Sequence, residues 1–144
     1  MQRVHIKQDA NFLGGAEYVL TKHLRELYLD FEGLEVVVAD PLNDGEESEY
    51  TRNPYRSQKD DTLFIPFDNV RAYDLSSDEF SGDTIGKDSS IAFRESLQMF
   101  GGATEIQADE IIDRPPGVKL VKGDVEVVVP QNNIAMMEVE EDAL

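Results

Sequence analysis

The sequence predicts an α+β fold that is mainly β. A small N-terminal ββαβ unit precedes a barrel-like or sandwich-like β unit with two strand–corner–strand repeats. Three observations predict this. Short β-branched runs, LEVVVA at 34–39 and VEVVVP at 125–130, are bounded by Gly, Pro and Asn. One window, from Thr21 to Phe31, sets apolar residues at helix spacing. The phrase IPFDNVRAYDL at 65–75 returns as VPQNNIAMMEV at 129–139.

The elements follow in chain order. Arg3-Val4-His5-Ile6-Lys7 alternates and predicts a strand. Asn11 to Gly15 (NFLGG) supplies a turn, and Ala16 to Leu20 a returning strand. Thr21 suits a helix N-cap, Leu24, Leu27, Tyr28 and Phe31 an apolar helix face, and Gly33 a helix C-cap. Leu34 to Ala39 is the closing strand of the unit, which occupies 1–40. Residues 41–60 are polar and rich in turn formers, and predict an exposed loop or linker arm. The arm holds a basic-aromatic patch of Tyr50, Arg52, Tyr55, Arg56 and Lys59. Its residues read either as solvated loop or as anchors for a partner's acidic face.

The β-rich unit spans 61–144. Aligned at an offset of 64, the two phrases pair Pro66 with Pro130, Asp68 with Asn132 and Asn69 with Asn133. Proline cannot donate to a ladder and belongs at a strand end. Asp and Asn bond nearby backbone and favour turns. The corner therefore redirects the chain toward another sheet edge. Between the copies, Leu75 to Gly86 predicts a loop. Ile91 to Phe100 fits a helix or a strand, with helix slightly favoured. Ala103 to Asp113 is ambiguous in the same way. Val118 to Val121 and Val125 to Val129 predict a hairpin around Lys122-Gly123-Asp124.

Charge is the strongest global property. Thirty acids against 13 bases give a net charge of −17, and 40% of residues are hydrophobic, enough for a core. A field of that sign repels phosphate, so nucleic acid is disfavoured as a partner. The acid suits a solvated surface, adaptation to high salt, or a basic or metal partner. Cysteine is absent, which excludes disulfides and thiolate sites. No apolar run reaches the length of a membrane helix. The start, MQRVHIKQDANF, has no apolar signal core, so secretion by a signal peptide is not expected.

Chemical motifs fail one by one. The Gly-Gly pairs at 14–15 and 101–102 lack the context of a phosphate loop. DPLNDG at 40–45 misses two ligand positions of a calcium loop. His23 with Glu26 on one helix face supplies two ligands, short of a catalytic zinc site. No enzyme activity, catalytic residue, metal site or cofactor is expected. The stretch RVHIKQDANFLGGAEYVLTKHLRELYLDFEGLEVVV and the strand–corner–strand phrase resemble small virion proteins of tailed bacterial or archaeal viruses. The resemblance implies a head-decoration (cement) or head–tail joining protein in the virion, assembled in the host cytoplasm. It carries no diagnostic site residues. The acidity suits the outside of a shell better than a DNA channel.

The sequence thus points to a non-enzymatic structural protein that binds capsid or other virion proteins and itself. Partner-contact candidates are Tyr50, Arg52, Tyr55, Arg56, Phe67, Met136 and Met137. A small Sm- or SH3-like barrel that binds RNA or peptide is the alternative, and a cation-binding protein the third.

Overall fold

The computed structural model describes residues 2–8, 18–28, 30–38, 62–74 and 82–140. The fold is mainly β, as the β-branched runs predict. The chain divides into two compact units, Met1–Val70 and Arg71–Leu144. The predicted arm at 41–60 lies outside the described residues, as do the loop residues 75–81.

In the first unit, β1 (Gln2–Ile6), β2 (Tyr18–Tyr28), β3 (Glu32–Val38) and β4 (Thr62–Pro66) form an antiparallel meander. A one-turn 3-10 helix, Phe67–Asn69, follows Pro66 and leads into β5 (Val70–Tyr73). Val4, Val19, Leu34, Val36 and Val70 are fully buried. Each such side chain stabilises the fold by roughly 1.5–3 kcal/mol of transfer free energy.

In the second unit, β6 (Thr84–Leu97), β7 (Ala103–Arg114), β8 (Gly117–Lys122) and β9 (Val125–Pro130) form a second antiparallel meander. A 3-10 turn, Gln131–Asn133, leads into β10 (Ile134–Met137), which pairs back on β6. On its other side β9 pairs with β5 through Val128 and Tyr73. The core gathers Ile91, Phe93, Leu97, Ile111, Leu120 and Val127. The predicted hairpin around Gly123 is present, with Val121 opposite Glu126.

Two helix expectations are corrected, and with the first goes the ββαβ unit. Thr21 caps no helix: 18–28 is one long strand, and the first unit has no α-helix among its described residues. Leu24 and Leu27, three apart in an unbroken ladder with Val36 and Gly33, lie on opposite faces of β2, so their helix-like spacing marks no single buried stripe. Ile91 to Leu97 is the end of β6, and only Gln98–Phe100 forms a 3-10 turn. Its alternation of buried Ile91, Phe93 and Leu97 is interrupted at exposed Glu95, inside a register shift between Ala92 and Leu97. Ala103 to Asp113, open at the sequence level, is strand.

The two meanders are one pattern written twice. Gln2 faces Thr21 as Ser89 faces Ala108, and Val4 faces Val19 as Ile91 faces Ile106; each residue stands 87 positions before its twin. Leu24 faces Val36 as Ile111 faces Leu120, and Leu27 faces Gly33 as Arg114 faces Gly117. Gly33 faces Pro66 as Gly117 faces Pro130. The register is the same in all three ladders. Apolar core positions match too: Val4 with Ile91, Ile6 with Phe93, Leu34 with Val118 and Ile65 with Val129 are all buried.

Candidate interaction surface

The corner residues come first, because they fix the strands around them. Pro66 and Pro130 hold nearly the same backbone, φ −57° and ψ 145° against φ −60° and ψ 148°. Each ends its strand opposite a glycine. A Cβ on Gly33 would overlap the carbonyl oxygen of Ile65, and one on Gly117 that of Val129. Only glycine lets the two backbones approach this closely.

The asparagines then clamp a neighbouring strand end. Asn69 Oδ1 accepts the N–H of Gln8 at 2.8 Å, and Asn69 Nδ2 donates to the Gln8 carbonyl at 3.0 Å. Asn133 does the same to Glu95, at 2.7 and 3.3 Å, and also donates to the Arg71 carbonyl at 3.0 Å. A side-chain amide thus replaces one ladder pair where the turn interrupts the backbone. Gln8 and Glu95 stand 87 positions apart, so they are twins as well. The corners are structural parts of the module. Asp68 is exposed and Asn132 half-buried beside them.

The surface differs from one unit to the other. In the first unit an aromatic group lies along β4: Phe31 and Phe64 meet edge to face at 5.6 Å, and Tyr28 lies 5.7 Å from Phe67. Phe31 is 69% exposed, Tyr28 47% and Phe64 42%. The Phe64 ring covers the space above Gly33. In the second unit Met136 on β10 is 75% exposed. Isolated apolar residues on a surface are ordinary, but a contiguous group is a contact signal. Strands β4 (TLFIP) and β10 (IAMM) also carry no charged residue, in a chain where 30% of residues are charged. Edge strands are usually guarded by Lys or other charges.

The partner-contact candidates separate. Met136 is exposed and Met137 half-buried on β10, whereas Phe67 is buried and anchors the corner against Tyr28. Tyr50, Arg52, Tyr55 and Arg56 lie outside the described residues. The sequence missed Phe31, Phe64 and Tyr28 as surface residues. The helix spacing predicts Phe31 and Tyr28 on an apolar helix face. The lack of charge in TLFIP was the available signal for Phe64.

After β10 the chain runs on along β6. Glu138 N–H donates to the Ser90 carbonyl and Glu140 N–H to that of Ile85. The Glu138 carboxylate accepts the Ser90 N–H at 2.8 Å, which holds its pKa below the usual carboxylate value. His23 and Glu26, three apart on a strand, lie on opposite faces, so the pair is not assembled into a site. Among the described residues no three His, Asp or Glu side chains are grouped to hold a metal ion, and no helix is long and apolar enough to cross a membrane. No protein-family model, curated protein or solved structure matches the chain.

Proposed function

We propose that this protein is a non-enzymatic assembly component that acts through strand edges and apolar edge residues. One observation carries the reading: among the described residues the exposed apolar side chains Phe31, Phe64 and Met136 lie on or beside two strands without charge, in a chain whose net charge is −17. Strand addition at such an edge supplies main-chain hydrogen bonds, and the apolar residues supply the buried contact. The acid keeps other surfaces apart and soluble. A virion shell or joint, with the chain as decoration or joining protein, is the assembly that the sequence resemblance suggests.

Purification from the native source tests the proposal. The chain is expected to migrate with a particle far larger than its own 16.2 kDa. Recovery only as free 16.2 kDa chain, with no bound protein, would overturn it.

A further inference from the structure

The duplication shows which surfaces belong together. Strand β9 is the twin of β4, and β5 is the twin of β10, both at an offset of 64. Inside the second unit β9 pairs with β5, Val128 opposite Tyr73. Counting back and forward by 64, the twins of these two residues are Phe64 and Met137. Among the described residues, β4 pairs with β3 and β10 with β6, and neither has a ladder on its other side.

Burial follows the same rule. Val128, Ala72 and Tyr73 are buried at the β5–β9 pair. At the matching positions Phe64 and Met136 are exposed and Met137 is only half-buried. The same module position is covered where the twin strand is present and open where it is absent.

From this we infer that a second copy of the chain supplies the missing strand: β10 of one copy pairs antiparallel with β4 of the next, with Met137 opposite Phe64. The inference rests on the assembly reading and names the chain itself as partner. Pro66 is no obstacle, because β9 carries Pro130 at the same position and still pairs with β5. The contact joins two different edges, so it is head to tail and builds a ring or a filament. Each copy brings a charge of −17, so association strengthens as salt screens the repulsion.

The chain has no cysteine, which makes cross-linking clean. Directly opposed strand positions stand about 4.5–5.5 Å apart at Cα, within disulfide reach. Phe64→Cys and Met137→Cys chains are mixed under mild oxidation at high salt, after circular dichroism confirms that both fold. The expected product is the mixed dimer, in clear excess over either self-linked dimer. Adding Met136→Lys to the Met137→Cys chain abolishes it. The doubly substituted chain gives a ladder of linked oligomers. A statistical mixture of the three dimers overturns the inference, and so does an intrachain disulfide in the doubly substituted chain. If cross-linking fails while the native chain still migrates with a particle of other proteins, self-pairing alone is lost and the assembly reading stands.

Discussion

Asn133 holds Glu95 by both of its backbone groups, accepting the N–H at 2.7 Å and donating to the carbonyl at 3.3 Å. Its side chain is fully buried, and its amide also serves the Arg71 carbonyl. Asn133→Ala leaves backbone groups without a partner in a site closed to water, which costs about 2–3 kcal/mol. Asn69 performs the same act on Gln8 in a half-exposed place, where water replaces the lost bonds. Asn69→Ala therefore costs only about 1 kcal/mol. Urea unfolding of the two variants measures the difference. Equal losses would show that the matched clamps differ less in burial than the fold requires.

Gly33 and Gly117 are held by close approach, and Gly123 by backbone conformation. Gly117→Ala drives a Cβ into the Val129 carbonyl, and Gly33→Ala into that of Ile65. Each substitution forces the strands apart and costs about 2–3 kcal/mol. Gly123 has open space around it and a φ of +58°, so Gly123→Ala costs only about 1 kcal/mol. The order of melting temperatures checks this: Gly123→Ala above the other two.

Glu138 gives the segment after β10 a pH dependence. The Ser90 backbone N–H, then the Ser90 side chain, lowers its pKa in the folded chain. A lowered carboxylate pKa stabilises the fold above the unfolded value, and the contribution is lost as pH falls through the folded value. Exchange of the Ser90 amide is therefore expected to quicken, beyond the intrinsic pH effect, as the solution is acidified through that range. Glu138→Gln removes the extra step. The group is exposed, so global stability changes little.

The corner was legible in the sequence because Pro66, Asn69, Pro130 and Asn133 sit at one fixed offset. The rest of the duplication was not. The twins are separated by 87 positions from Gln2 to Leu27, by 84 from Gly33, and by 64 from Thr62, so insertions in the hairpins break any single alignment. Core positions are preserved as a class, Val4 for Ile91 and Val36 for Leu120, and such exchanges leave almost no identity to find. Gly14-Gly15 and Gly101-Gly102, neither of which has the context of a phosphate loop, are matched positions at the 87 offset. The helix expectation failed because Leu24 and Leu27 lie on opposite faces of one continuous strand, both half-buried, and so imitate a helix stripe without forming one. The same spacing hides the aromatic edge, since it predicts Tyr28 and Phe31 on a core-facing stripe, whereas both are exposed.

The account stands on the claim that β4 and β10 are open in the free chain and covered in the assembled one. Amide hydrogen exchange read by segment, on dilute free chain and on native assembly, tests it most directly. In the free chain, residues 62–66 and 134–137 should exchange faster than 125–130. In the assembly both segments should slow to the rate of 125–130. Edge segments that exchange alike in the two states, or that are already as slow as β9 in the dilute chain, would contradict it.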